Sequence, residues 1–408
     1  MELLSKVKRK MGAAKERILP SPLVRREIPP MPYMQPRPPI RVAFAVHVMQ
    51  VAGAEVLIEQ MIQRLGNRIE PTIFCLDSIG TIGERLSSQG VPVICLDRKR
   101  GRDFGVSWRM AREIRQRRIQ IVHAHQYTPF FYSALAKIPA RNGFRLIFTE
   151  HGRHYPDVVS PLRRAVNRLF LNRFADAINA CCDFSARAII TNEGFTGSRV
   201  EVIKNGIELS AHQNRLSSSE VRRQLGLDPH RRYVTMIARF HPVKDHPMLL
   251  RAFAQVAKMR EDTDLLLVGD GPLRSQLERE VKELGIESRV RFLGIRRDVP
   301  ELLQAADLFC LTSVSEAASL TLMEAMAAAR PVVVTNVGGN PEIVRDGIEG
   351  YLVPRGDSIA CAEAMLKILS NPELAERMGT AGQERIRKLY TIQTTVEAYL
   401  QLYRRLLG

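Results

Sequence analysis

Asp307 to Glu349 reads DLFCLTSVSEAASLTLMEAMAAARPVVVTNVGGNPEIVRDGIE. An apolar run at 307–311 ends in a polar loop that holds Glu316. A helix opens near Ser319 and carries Thr321, Glu324 and the alanines Ala325, Ala327 and Ala328, and a second apolar run follows at 331–335. Strand, loop, helix and strand in that order make one unit of a parallel sheet. The N–H groups at the helix start have no intrahelical partners, and the positive end of the helix dipole lies there, so the position suits a diphosphate. Glu316 before the helix and Glu324 inside it bracket that place, each carboxylate a potential acceptor for a sugar hydroxyl. Two glutamates at this spacing are in isolation ordinary solvated charges. The strand before them, the Ala-rich helix between them and Val337-Gly338-Gly339-Asn340-Pro341-Glu342 after them set this pair apart.

The same alternation continues toward the N-terminus. Apolar runs at 233–238, 264–268 and 290–293 precede the quoted stretch, and an earlier series lies at 41–46, 71–76, 91–96, 119–123, 145–149 and 176–180. Segments of helical period such as 54–65 and 107–117 separate them. A polar stretch from Ser210 to Glu220 reads as the joint between the two series. The expected fold class is therefore α/β, with two tandem Rossmann-like, doubly wound domains facing a central cleft where ligands meet the carboxyl ends of the strands. With 408 residues the chain is long enough for such a pair. The expected divisions are an arm at 1–39, domains at 40–209 and 210–385, and a C-terminal helix at 386–408 packing back toward the first domain.

Charge is distributed unevenly along this plan. The chain carries 60 Lys and Arg against 43 Asp and Glu, a net +17. Residues 1–210 hold 33 basic and 18 acidic side chains and residues 211–408 hold 27 and 25, so the first half carries +15 of the excess. That half is expected to face a polyanion. In the arm, Leu4, Val7, Met11, Ala14 and Ile18 share a helical face among Lys6, Lys8, Arg9, Lys10, Lys15 and Arg17, the pattern of a helix lying on an anionic membrane. The Pro-rich run Pro29–Pro39 reads as an extended spacer. A disordered, solubilising basic tail is the alternative reading of this arm. Two further basic segments stand out: Arg98 to Arg118 around Phe104 and Trp108, and Arg163, Arg164, Arg168 and Arg173 interleaved with Leu162, Val166, Leu169 and Phe170. For the first of these a solvated helix face and a membrane or polyanion surface stay open; the second is of the kind that docks lipid headgroups.

No apolar run reaches the length of a membrane span and the N-terminus lacks a signal-peptide core, so a cytoplasmic protein, peripheral on the inner membrane, is expected. Six cysteines without C-x-x-C spacing read as small buried hydrophobes. His123-Ala124-His125 reads as strand-end packing or acceptor contact, and Asp262-Thr263-Asp264 as a polar loop with no metal role.

The quoted stretch resembles the E-x7-E signature of family 4 glycosyltransferases, which have the two-domain GT-B fold and retain anomeric configuration. The resemblance runs from about residue 40 to 385. Ile237-Ala238-Arg239-Phe240 with Lys244 is similar to the family's Gly-Arg-Leu…Lys-Gly segment, whose cations clamp the donor diphosphate. Leu267-Val268-Gly269-Asp270-Gly271-Pro272, Val290–Gly294 and Ile203-Lys204-Asn205-Gly206-Ile207 match later and earlier landmarks. Ala52-Gly53-Ala54-Glu55 resembles the family's phosphate loop, and Thr149-Glu150-His151-Gly152 the segment whose His contacts the transferred sugar.

What the resemblance implies is a retaining hexosyltransferase using a UDP- or GDP-linked sugar and a lipid-linked or glycan acceptor, in cell-surface polysaccharide synthesis. Glu316 and His151 would orient the sugar, while the leaving phosphate helps deprotonate the acceptor. Gly53, Arg239, Lys244, Ser319, Leu320, Thr321 and Glu324 would bind the donor, with no cofactor and no essential metal. The 40–209 domain would serve the acceptor and the 210–385 domain the nucleotide sugar. Three departures are visible: Glu316-Ala317-Ala318-Ser319 stands where the family often has Glu-Gly-Phe-Gly, Ala52 replaces the first phosphate-loop glycine, and Asp245 replaces the glycine after Lys244. A nonenzymatic nucleotide-sugar or polyanion binder with a degenerate site is the competing reading. Nucleic acid is not expected as a partner, since no helix-turn-helix, zinc or RNA-sheet signature is present.

Overall fold

The computed structural model describes residues 38–151, 159–210 and 216–408, and residues 39–408 form one compact unit. The arm at 1–37, Gly152 and residues 211–215 of the polar joint lie outside the described residues. In chain order the first half runs β1 (Ile40–Val48), α1 (Gly53–Leu65), β2 (Ile69–Ser78), α2 (Gly80–Ser88), β3 (Val93–Cys95), α3 (Gly105–Gln116), β4 (Ile121–His125), α4 (Tyr127–Ala136), β5 (Arg145–Glu150), α5 (Pro161–Leu169), β6 (Ala177–Ala180), α6 (Asp183–Thr191) and β7 (Val200–Val202). The second half continues with α7 (Ser218–Gln224), β8 (Arg232–Ile237), α8 (His246–Met259), β9 (Thr263–Val268), α9 (Arg274–Glu283), β10 (Val290–Gly294), α10 (Val299–Ala305), β11 (Leu308–Leu311), α11 (Leu320–Ala327), β12 (Val332–Thr335), α12 (Asn340–Ile343) and β13 (Gly350–Val353). Three helices close the chain: α13 (Ser358–Leu369), α14 (Pro372–Leu389) and α15 (Ile392–Leu407).

Two parallel sheets result, seven strands in the order β3-β2-β1-β4-β5-β6-β7 and six in the order β10-β9-β8-β11-β12-β13. Each order reverses direction beside its first strand, as in a doubly wound fold. Every strand foreseen from the apolar runs is present. The short edge strands β7 and β13 are additional.

Alternate residues of the first sheet feed two cores. Ala43, Ala45, Val122, Leu146 and Phe148 pack under α3, α4 and α6. Val42, Phe44, Ile73, Ile121 and Ile147 pack under α1, α2 and α15. Helix α15 thus belongs to the first sheet's cover, burying Ile392, Val396, Tyr399, Leu400 and Tyr403 there. Helix α14 runs through residue 386 to Leu389, and the chain crosses back at Tyr390–Thr391. That crossing lies against the outgoing one: the Ile207 N–H donates to the Tyr390 carbonyl and the Ile392 N–H to the Ile207 carbonyl, both at 2.9 Å. A Cβ on Gly206 would fall 2.1 Å from the Thr391 carbonyl oxygen, so only glycine permits the approach. In the polar joint, Ser217 and Glu220 form a capping box that opens α7.

Two details correct or refine the sequence reading. Thr263 and Asp264 open strand β9 instead of lying in a loop; Asp264 is buried and accepts from Arg231 at 2.7 Å and Arg289 at 3.0 Å, so its carboxylate is engaged in the fold. All six cysteines are free thiols, five of them buried and Cys95 half-buried. No helix among the described residues is long and apolar enough to cross a membrane.

Candidate active site

The site begins where β11 ends. After Leu311 the chain enters a buried loop in which the Ser313 hydroxyl donates to Glu316 Oε1 at 2.5 Å. Lys244, on the short helical turn after β8, reaches the same oxygen at 2.5 Å. The loop rests on Gly338 and Gly339: the Gly339 N–H donates to the Glu316 carbonyl at 3.1 Å. A Cβ on Gly338 would lie 1.8 Å from the Glu316 carbonyl oxygen, and one on Gly339 1.8 Å from that of Ala317. Backbone packed on backbone at this distance cannot yield to a methyl group, which is why two glycines follow β12. Thr335 reinforces the contact by donating to the Ser313 carbonyl at 2.6 Å.

Ser319 caps α11, its hydroxyl accepting from the Leu322 N–H at 3.4 Å, with Thr321 Oγ1 3.3 Å away. The amides of Leu320 and Thr321 belong to the helix's first turn, which has no intrahelical acceptors. Opposite stands α1. A Cβ built on Gly53, its first residue, would touch Leu320 Cδ1 at 3.5 Å. Two helix N-termini, one from each sheet's cover, therefore meet across the cleft with their positive dipole ends close together. Glu324 lies one turn inside α11, half-buried and in no ion pair among the described residues; desolvation pushes its carboxyl up to about 7. Arg239 is exposed just beyond β8. His241 between Arg239 and Lys244 is held below the usual imidazole range by burial and then by those two cations.

The departures from the family pattern resolve differently. Ala52 has φ −147° and ψ 165°, extended backbone open to any residue, and Ala317 and Ala318 are absent from the positive-φ positions. Asp245 is the strained one. It occupies the left-handed region at φ 46° and ψ 50°, and its side chain accepts from the Met248 N–H at 3.2 Å, capping α8. Aspartate tolerates this conformation better than most residues, and the cap gives it a use there.

Across the cleft, His151 follows β5 and bonds to His125 at the end of β4, Nε2 to Nδ1 at 2.7 Å with ring planes 5° apart. His125 Nε2 and His151 Nδ1 are buried without a hydrogen-bond partner among the described residues. His123, one step deeper, meets Thr149 Oγ1 at 2.7 Å and Tyr403 of α15 at 2.8 Å. Burial drives His123 and His125 well below the ordinary imidazole range and His151 to about 4, so this cluster is uncharged at neutral pH.

The structure thus gathers Glu316, Lys244, Ser319, Leu320, Thr321, Glu324 and Gly53 around one cleft, with Arg239 at the end of β8 and His151 at the strand ends of the other sheet. Ser313 escaped the sequence reading, and His125 was read there as strand-end packing or acceptor contact without its link to His151. His125 becomes visible only through the β4–β5 register, which pairs it with Thr149, two residues before His151. Glu342, quoted for its motif alone, accepts from the Asp183 and Phe184 N–H groups at 2.8 and 2.7 Å and so binds the start of α6 to the second half of the chain. Among the described residues no three His, Cys, Asp or Glu side chains are grouped to hold a metal ion.

Residues 51–211 match the family model of Glycosyltransferase Family 4 and residues 217–385 that of Glycosyl transferases group 1. The N-acetyl-alpha-D-glucosaminyl L-malate synthase of Bacillus anthracis is 30% identical over 305 residues, 74% of this chain and 78% of that protein. A D-inositol 3-phosphate glycosyltransferase of Mycobacterium tuberculosis is 33% identical over 245 residues, 57% of this chain but only 49% of that protein. Among solved structures, a glycosyltransferase from Rickettsia africae aligns with a TM-score of 0.80 at 18% identity, over 91% of this chain and 99% of that one. Anabaena Alr3699/HepE in complex with UDP and glucose aligns with a TM-score of 0.78 at 23% identity, over 89% and 99%. At these identities the structural matches establish the fold.

Proposed function

The chain belongs to glycosyltransferase family 4, and on that premise we propose that it moves a hexosyl group, with retention, from a UDP- or GDP-linked donor to a lipid-linked or glycan acceptor in cell-surface polysaccharide synthesis. The observation that carries this reading is the meeting of the α1 and α11 N-termini at Gly53 and Leu320, with Lys244 beside them. Breaking the bond from the anomeric carbon to the diphosphate leaves negative charge on the leaving oxygens. Fixed N–H donors and cations are what stabilise it. Arg239 and Lys244 supply the cations, and the first turn of α11 from Ser319 to Thr321 the amides. A metal ion is not essential in this reading.

Glu324 accepts from the ribose hydroxyls, and Glu316 from hydroxyls of the sugar. Lys244 then lies between Glu316 and the phosphates, bonded to both. His151, neutral, hydrogen-bonds the sugar through Nδ1. The anomeric carbon loses its bond to the phosphate oxygen and gains one to the acceptor oxygen on the same face, while the acceptor proton passes to the departing phosphate. No side chain attacks. The UDP and glucose in the Anabaena protein support a uridine donor. The surplus positive charge of residues 1–210 supports work at the cytoplasmic face of an anionic membrane.

A screen of nucleotide sugars for release of nucleoside diphosphate tests the reading. One donor is expected to be turned over by the native chain, and Arg239→Ala and Glu324→Ala are each expected to abolish turnover. Full activity in both variants would overturn the site.

A further inference from the structure

A helix covering a sheet normally turns its apolar stripe inward and its charges to water. Helix α5 does so only in part. Val166 packs on the core, but the fully buried side chain of the helix is polar: Asn167 accepts from the Tyr127 hydroxyl at 2.7 Å and donates to the Glu193 carbonyl at 2.8 Å, while Arg163 pairs with the Glu193 carboxylate at 2.8 Å. Its outward side chains include Leu162, 68% exposed, and Leu169, 71% exposed. At about 100° per residue these leucines fall within about 20° of each other, and the exposed Arg164 and Arg168 form a second edge, with the small Pro161 and Ala165 between. A groove of about 540 Å³ lies on this face, walled by Val159, Arg168 and Leu169 among others.

Helix α3 turns an ordinary apolar stripe inward, with Val106, Met110, Ala111 and Ile114 buried, yet it too exposes apolar groups beside a cation. Phe104 (55% exposed), Trp108 (66% exposed) and the exposed Arg112 recur every four residues on one stripe. Both helices cover the same side of the first sheet, because Val106 and Met110 of α3 and Val166 of α5 pack on one core. The helices on the opposite side expose a single large apolar side chain among the described residues, Leu407 in the last turn of α15. Among the helices of the first sheet, the exposed large apolar groups of the described residues are therefore concentrated on one layer, where the exposed Arg112, Arg164 and Arg168 stand beside them. A polyanion in water would satisfy the arginines and leave the leucines wet. A bilayer surface offers phosphates to the guanidinium groups and hydrocarbon to the apolar tips within a few ångströms of depth.

We propose that the outer face of the α3–α5 layer docks on an anionic lipid bilayer, with Leu162, Leu169 and Trp108 entering the interface and Arg112, Arg164 and Arg168 at headgroup level. Helix α5 is the next helix in the chain after β5, the strand that His151 follows. The inference deepens the proposed function, resting on its membrane-linked acceptor.

Trp108 is the only tryptophan of the chain, so its fluorescence reports this surface without a label. The full-length protein is mixed with vesicles of phosphatidylcholine, alone or with phosphatidylglycerol, and with brominated versions of both. On phosphatidylglycerol-containing vesicles the emission is expected to shift blue and to be quenched by the bromines. The double variant Leu162→Gln, Leu169→Gln is expected to partition at least about tenfold more weakly, because buried apolar area sets binding strength. Sedimentation with vesicles while Trp108 stays unquenched, or unchanged partition of the double variant, would overturn the proposal and assign binding to another surface such as residues 1–37. Equal binding to neutral vesicles would overturn its anionic character. Release of nucleoside diphosphate from donor in solution is expected to match the native chain in the double variant. If instead the native chain turns over no donor but Trp108 is quenched as described, the transferase reading fails and the docking surface stands.

Discussion

The carboxyl ends of the two sheets face one cleft with opposite electrostatics. At the second sheet, Lys244 and Glu316 form an ion pair under a capped helix start, with Arg239 close by. At the first, three histidines are buried and neutral, linked to one another and to Thr149 and Tyr403. The formal charges of the two halves run the other way, since the half with the uncharged strand ends carries the +15. Net charge and site charge are thus separate properties of this molecule. Of that excess, residues 1–37 hold +6 and helices α3 and α5 together hold +5.

The comparison can be broken most directly at its charged end. Lys244→Ala or Arg239→Ala is expected to lower turnover by about 10²–10³-fold or more, the usual cost of removing a donor to a developing anion; loss of the same size from Lys204→Ala would show that overall charge is what matters. Next in size is Gly339→Ala. Its methyl group has no room against the Ala317 carbonyl, so a loss of about 3 kcal/mol in unfolding free energy is expected from denaturant titration, with turnover falling as Glu316 shifts. Near-native stability and activity together would show that the Glu316 loop is not seated as described.

Acidification separates the two ends by sign. Glu324 has a folded-state value near 7, above its unfolded value, so its contribution to stability is fully present in acid and is lost as the pH rises through 7. The histidines are depressed in the fold, so they favour the native state above their unfolded values near 6.5 and withdraw that support as the pH falls toward 4. Glu324→Gln is accordingly expected to stabilise the donor-free protein at pH 8 by about 1–3 kcal/mol and to do little at pH 4.5. His151→Gln is expected to flatten the acid side of the same profile. A Glu324→Gln gain that did not depend on pH would refute the assignment. Smallest is Ala52→Gly: with extended backbone at this position, the glycine common in the family should change stability by less than about 1 kcal/mol and leave donor turnover as it is.

Much of this was legible in the amino-acid order because strand and helix periods report local burial. The run 307–335 announces β11, α11 and β12, and Ser319 caps the helix where its hydroxyl suggested. Long-range register was not legible. Nothing local says that His125 lies beside His151, that Glu342 caps α6, or that Asp264 is bonded by Arg231 and Arg289, from just before β8 and β10. In α5 the alternation of Arg and Leu was plain, but which side faced the sheet depended on Asn167 and Glu193 meeting, residues 26 positions apart.

The two chain crossings at Ile207 and Thr391 have a mechanical consequence. They run side by side, bonded in both directions, and Thr395 adds a bond to the Lys204 carbonyl at 2.8 Å. A single connecting strand would leave the halves free to swivel. A bonded pair resists sliding and torsion and yields most easily to bending across its width, as a door yields about a pair of pins. Bending across the pair is therefore the motion of one half against the other expected to cost least, and opening along it would part Gly53 from Leu320 and the Glu342 carboxylate from the α6 amides.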